Sequence, residues 1–102
     1  MSLTETQKKY LRRLAHPLHP LVMVGSGVGE PGKLEAITKE LDSTLNSHEL
    51  VKVSARLGDR EARDEVFAEL VKATQSELVQ RIGNVAVLYR ARRDNPKIML
   101  PD

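Results

Sequence analysis

The sequence predicts a single α/β domain, residues 1–102, with a four-stranded mixed sheet, packed helices and the element order α-β-α-β-α-β-β. Three observations carry that expectation. The chain has 102 residues, the size of one domain with one modest core. Apolar stripes of helical period alternate along it with short apolar runs of strand length. The last two runs are separated only by Gly83-Asn84, a hairpin signal. Strand–helix–strand units imply parallel neighbours with right-handed crossovers, and the closing hairpin adds an antiparallel strand. The chain shows no internal repeat, low-complexity stretch or linker.

The first helix opens at Leu3-Thr4-Glu5-Thr6-Gln7, where Thr4 can cap and Gln7 completes a capping box. Leu11 and Leu14, with Leu3, Gln7 and Tyr10, supply its buried stripe, while Lys8, Lys9, Arg12 and Arg13 share one face. Like charges at this spacing cost a few tenths of a kcal/mol per pair, roughly, which either solvation or an anionic partner offsets. His16-Pro17-Leu18-His19-Pro20 ends the helix, since proline disfavours helix at the residue before it. Leu21-Val22-Met23-Val24 fits a short buried strand, and Gly25-Ser26-Gly27-Val28-Gly29 a flexible loop.

Pro31 suits the first turn of a second helix, whose stripe is Leu34, Ile37, Leu41 and Leu45 and whose end lies near Asn46-Ser47-His48. Leu50 to Leu57 reads as a strand with Val51, Val53, Ala55 and Leu57 on one side and Leu50, Lys52, Ser54 and Arg56 on the other. Asp59 can cap a third helix with Val66, Phe67, Leu70 and Val71 inward and Glu61, Asp64, Glu65 and Glu69 outward. Leu78 to Ile82 and Val85 to Arg90 form the hairpin, and Ile98-Met99-Leu100 gives the polar tail an apolar end that should dock on the body.

Cysteine is absent, which excludes a disulfide scaffold and a cysteine-based zinc site and favours a reducing compartment. The first residues lack a signal-peptide core, and no apolar run approaches the roughly 20 residues that span a bilayer. A cytoplasmic protein with no membrane partner is expected. The net charge of +2 is unevenly spread. Residues 1–20 carry Lys8, Lys9, Arg12 and Arg13 against Glu5; residues 84–102 carry Arg90, Arg92, Arg93 and Lys97 against Asp94 and Asp102; the middle is net acidic. If the basic ends meet, they form a face for phosphate.

The glycine loop admits several readings. Gly27-Val28-Gly29-Glu30-Pro31-Gly32-Lys33-Leu34 matches the G-x-x-x-x-G-K part of a P-loop. Leu34 stands where a magnesium-binding Ser or Thr belongs, and Pro31 removes an N–H from the cradle. Gly25, Gly27 and Gly29 also miss the G-x-G-x-x-G dinucleotide pattern, because Glu30 replaces its third glycine. A third reading is a backbone clamp on nucleic acid, in which a glycine loop leading into a helix lets the main chain approach sugar and phosphate. The fourth is a plain turn needing positive φ. Ser26 lacks a nucleophile elbow, and His16, His19 and His48 lack metal-ligand spacing. The only aromatics are Tyr10, Phe67 and Tyr89, too few for a fold that stacks bases on aromatic rings.

Taken in order, several segments resemble the YhbY type of CRM domain, the chloroplast RNA splicing and ribosome maturation module. They are Leu14-Ala15-His16-Pro17-Leu18-His19-Pro20, Val24-Gly25-Ser26 and His48-Glu49-Leu50-Val51-Lys52-Val53. Gln80-Arg81-Ile82-Gly83, Val87-Leu88-Tyr89-Arg90 and Pro96-Lys97-Ile98-Met99-Leu100-Pro101 follow. The resemblance runs from about Leu3 to Pro101. It implies a fold similar to the C-terminal domain of translation initiation factor 3 and non-catalytic RNA binding. Stand-alone bacterial members of the family are associated with large-ribosomal-subunit precursors, and related plant domains with group II intron splicing. One departure stands out: the family loop reads G-x-x-G, and Val28 occupies the place of its second glycine.

The expected RNA-binding residues are Lys8, Lys9, Arg12, Arg13, His16, His19, Gly25, Ser26, Gly27, Val28, Gly29, Lys33, Lys52, Arg56 and Arg90, with the acidic third helix facing away. The expected partner is structured RNA, from the large-subunit ribosomal RNA or its precursor particle. No catalytic residue, metal, cofactor or small-molecule substrate is expected. The rival readings are a protein–protein adaptor in ribosome assembly and a P-loop-like nucleotide binder.

Overall fold

A computed structural model describes residues 2–102; Met1 lies outside the described residues. Helix α1 (Glu5–Ala15) begins with the anticipated capping box: Thr4 Oγ1 accepts from Gln7 N at 3.1 Å and Gln7 Oε1 from Thr4 N at 3.0 Å. Leu11 and Ala15 are buried beneath it. Leu14, expected in the buried stripe, is exposed instead, because it lies a quarter turn round the helix from the sheet-facing line of Leu11 and Ala15.

Strand β1 (Val22–Val24) is shorter than the apolar run, since Leu21 is exposed outside it. The loop expected to be flexible is a 3₁₀ turn, Ser26–Gly29. Pro31 falls outside helix α2 (Lys33–His48) rather than in its first turn, because Gly32, left-handed at φ 82°, sets the helix start. Strand β2 (Leu50–Ala55) stops two residues before Leu57. Helix α3 (Arg60–Thr74) is capped by Asp59, whose carboxylate accepts from Glu61 N at 3.2 Å. Strands β3 (Glu77–Ile82) and β4 (Val85–Tyr89) form the hairpin around Gly83-Asn84, with Gly83 at φ 57°.

The four-stranded sheet has the order β1-β2-β4-β3. β1 and β2 are parallel, while β4 runs antiparallel to both β2 and β3. The parallel-neighbour expectation therefore holds for the first strand–helix–strand unit only. In the second, β4 folds back into the gap between β2 and β3, where its Ala86, Val87, Leu88 and Tyr89 are all buried. A central strand buried on both faces reads as such a continuous apolar run.

Helices α2 and α3 cover one face, where Leu41, Leu45, Phe67 and Leu70 pack on Val22, Val24, Val51, Val53, Ala55, Ala86 and Leu88. On the other face, α1 and the tail cover Leu50, Val79, Val87 and Tyr89, with Leu3, Ile98 and Leu100 at the margin. The tail docks as its apolar residues suggest, although Met99 points outward.

A buried carboxylate holds that tail. Glu49, left-handed at φ 61° after α2, is 1% exposed, and its side chain accepts from the backbone N–H groups of Arg92, Lys97 and Ile98, each at 2.9 Å. Burial alone would raise its pKa. The three N–H donors and the Arg92 charge outweigh that penalty, so the carboxyl titrates below its ordinary value. Gln7 Nε2 adds a bond to Pro101 O at 3.0 Å.

Candidate functional site

The cations expected on α1 converge on an open groove between that helix and the sheet. Lys9, Arg12, Arg13, Ala15, His16, Lys52, Gln80 and Ile82 line it, and none of these residues is acidic. Arg12 and Arg13 occupy the last turn of α1, where positive charge complements the helix dipole. Lys52 Nζ donates to Leu18 O at 3.1 Å and His16 O at 3.4 Å, tying the end of α1 to the middle of the sheet. Lys8 is half-buried one turn before Arg12 and does not line the groove. His19 is exposed on the link to β1.

A β-bulge decides which β3 side chains reach this groove. Leu78 pairs with Leu88, but Gln80 pairs with Val87 and Ile82 with Val85, so the register slips by one residue at Val79. Beyond the slip, Gln80 and Ile82 share the α1 face with Val87 and Val85. Arg81 is thereby turned to the opposite face, where it pairs with Asp64 at 2.8 Å and lies 5.9 Å from the centre of the Phe67 ring. Without the bulge this cation would stand in the groove. Sequence reasoning missed both Gln80 and Ile82, since alternation alone counts through a bulge without seeing it.

The glycine loop sits at the same end of the sheet as Ile82. Arg56 N donates to Val24 O at 2.8 Å, which places exposed Arg56 beside Gly25. A Cβ at Gly25 or Gly29 would meet no atom within 4 Å, and Gly25 has an extended backbone at φ −103°. The fold itself does not require glycine there, in contrast to Gly32. The loop is not an open phosphate cradle. The N–H groups of Val28, Glu30 and Lys33 are engaged by the carbonyls of Gly25, Gly27 and Glu30. A Cβ at Gly27 would stand 3.2 Å from Glu30 Oε2, so a carboxylate lies over the turn.

Val28 and Leu34 pack against the core between α2 and α3. Ser26, Val28 and Gly29 line a hollow shared with Glu65 and Glu69 of α3. The acidic helix thus lies across the sheet from the basic groove but reaches the underside of the loop. Lys33 is exposed at the start of α2, on that same side.

Arg90 lies apart. Its guanidinium donates to Asp42 Oδ1 at 2.6 Å, Asp42 O at 2.9 Å, Asn46 Oδ1 at 2.8 Å and Thr74 O at 2.8 Å. It ties the ends of α2 and α3 to β4, at the Leu50–Tyr89 end of the sheet, opposite the loop. No group of three or more potential metal-ligating His, Cys, Asp or Glu side chains occurs among the described residues. No helix among them is long and apolar enough to cross a membrane.

Comparison with known proteins gives a consistent result. The CRS1 / YhbY (CRM) domain family matches residues 3–90. An RNA-binding protein of Haemophilus influenzae is 39% identical over 98% of this chain and 96% of its own. The probable RNA-binding protein YqeI of Bacillus subtilis is 40% identical over 97% of this chain and 99% of its own. The solution structure of SAV1595 from Staphylococcus aureus, a candidate RNA-binding protein, superposes with a TM-score of 0.79. It is 40% identical, and the match covers 98% of this chain and 100% of that one.

Proposed function

The chain belongs to the CRS1 / YhbY (CRM) domain family, and on that premise we propose that it binds structured RNA without catalysis, along the groove between α1 and the sheet. The observation that carries this reading is the groove's lining: Lys9, Arg12, Arg13, His16 and Lys52 with no carboxylate among them. Such a surface follows a phosphate backbone, and phosphate contacts favour a shape over a sequence. The glycine loop forms the edge of this footprint. Gly25 and Gly29 let a sugar or phosphate come close to the main chain, while the engaged N–H groups leave the charge to the side chains.

The RNA is that of the large-ribosomal-subunit precursor in the cytoplasm, an assignment resting on the family resemblance. Crosslinking bound RNA in cells and sequencing it tests the target. For the groove, Lys9, Arg12 and Arg13 are replaced together by Glu and binding is followed from 50 to 300 mM salt. Each phosphate released removes roughly 0.7–0.9 from the slope of log affinity against log salt, so the triple variant should lose a slope of about two to three. An unchanged slope and affinity would place the RNA elsewhere. A protein–protein adaptor is the second reading, favoured by the apolar hollow of Val28, Leu34, Leu57 and Val66 rimmed by Glu65 and Glu69. Comigration with a protein partner that survives RNase on a gradient would support it.

A further inference from the structure

We propose that the row of the sheet beside the groove, exposed at its two ends, receives the bases of an unpaired RNA segment whose phosphates lie against the groove cations. This rests on the RNA-binding reading above and narrows its substrate class from structured RNA to RNA with an accessible single-stranded element. The row is Met23–Ser54–Val85–Ile82, one residue from each strand, placed side by side by the register. All four belong to the α1 face, since Val22, Val24, Val53, Ala55 and Ala86 on either side of them point into the α2–α3 core. Helix α1 and the tail cover the strands further along, and within this row exposure is concentrated at the two ends, Met23 and Ile82, with Ser54 6% exposed and Val85 half-buried between them. Met23 is 47% and Ile82 65% exposed, and Leu21, just before β1, is 50% exposed.

Two physical considerations choose the occupant. Ile82 belongs both to this row and to the groove of Lys9, Arg12, Arg13, His16 and Lys52. Whatever rests on the apolar row must therefore carry negative charge along one flank. An unpaired strand meets that requirement, with phosphates on one side and flat, poorly hydrated base faces on the other. An A-form duplex does not: its base faces are stacked inside, and it presents phosphates and 2′-hydroxyls, which gain nothing from Met23 or Ile82. The row spans three strand spacings, about 14 Å, enough for a few nucleotides. Phe67 and Tyr89 are buried and Tyr10 is half-buried on α1, so the contact is aliphatic and tolerant of base identity.

The experiment compares three RNA probes on the full chain: a hairpin with a ten-nucleotide loop, the same hairpin with abasic loop positions, and a fully paired duplex of matched charge. The proteins are the parent, Met23→Ser/Ile82→Ser, and Lys9→Glu/Arg12→Glu/Arg13→Glu, each checked for an unchanged circular dichroism spectrum and melting curve. The intact loop should bind about tenfold more tightly than the abasic loop or the duplex. The Ser variant should lose about that factor on the intact loop only, with its salt slope unchanged. Equal affinity for all three probes, or a Ser variant that binds the loop like the parent, overturns the base-row assignment. If charge reversal still abolishes binding in that case, the RNA-binding reading stands. If the parent binds none of the probes, both fall.

Discussion

On one face of the sheet, α2 and α3 close over the apolar side chains of β1, β2 and β4, and the outward side of α3 is acidic. On the other, a single eleven-residue helix and an irregular tail cover only part of the strands, and the side chains lining the groove are basic, apolar or neutral polar, none of them acidic. The first face is made of long helices with fully buried leucines, and two cations on it are paired, Arg81 with Asp64 and Arg90 with Asp42. The second concentrates like charges on α1 and holds that helix with the capping box, Lys52 on the carbonyls of His16 and Leu18 just past its end, and the tail latched by Glu49. The α2–α3 face holds the larger core, and the α1 face concentrates the like charges on which the RNA-binding proposal rests.

Truncating the two cores should expose that division most strongly. Leu70→Ala, at a fully buried position under α3, is expected to cost about 3–5 kcal/mol in urea unfolding. Leu11→Ala, equally buried but beside a tail that can collapse onto the gap, should cost closer to about 2–3 kcal/mol. A Leu11→Ala penalty exceeding that of Leu70→Ala would reverse the ranking of the two faces.

The latch should come next. Glu49→Gln weakens three charge-assisted bonds and is expected to lose about 1.5–3 kcal/mol, with protease sensitivity appearing first in residues 91–102. Because the folded-state pKa of Glu49 lies below its unfolded value, its contribution is complete above the ordinary carboxylate range. It is lost as pH falls through the depressed folded value. Acid unfolding of the parent should therefore show a step that Glu49→Gln lacks, and parallel pH curves for the two proteins would remove the latch from the account.

The glycines give a finer contrast. Gly32→Ala, at φ 82°, should destabilise by about 1 kcal/mol or somewhat more. Gly25→Ala and Gly29→Ala enter open space and should change stability by less than about 0.5 kcal/mol while weakening RNA binding, read by titration of the hairpin. Ala at Gly25 that leaves affinity untouched would remove the loop from the footprint. The smallest effect is expected across the sheet, where Glu61→Gln should raise affinity by no more than about twofold, since screening weakens a charge on the opposite side of the sheet from the groove.

Much of this was legible locally. Thr4 and Asp59 announced their helices, and the stripe of Leu41 and Leu45 announced the core of α2. Lys9, Arg12 and Arg13 announced a basic face, because caps and helical neighbours lie within four residues of one another. Glu49 and Arg90 were not legible in this way. Glu49 reads as one more charge between a helix and a strand, and Arg90 as one more cation for the groove, until partners 43 to 49 residues away appear beside them. Leu14 was misplaced because two candidate stripes on one helix differ only in which meets the sheet.

By itself, then, the sequence determined the element order, the mixed sheet, the capped helices, the docked tail and the charge of α1, all properties of short-range period and composition. The tertiary structure alone decided that β4 inserts between β2 and β3 and that a bulge at Val79 turns Ile82 into the groove and Arg81 out of it. It likewise decided that Arg90 braces the helices instead of joining the groove. Each of these depends on which distant partner satisfies a buried donor or fills a strand's open edge, a choice that local periodicity does not encode.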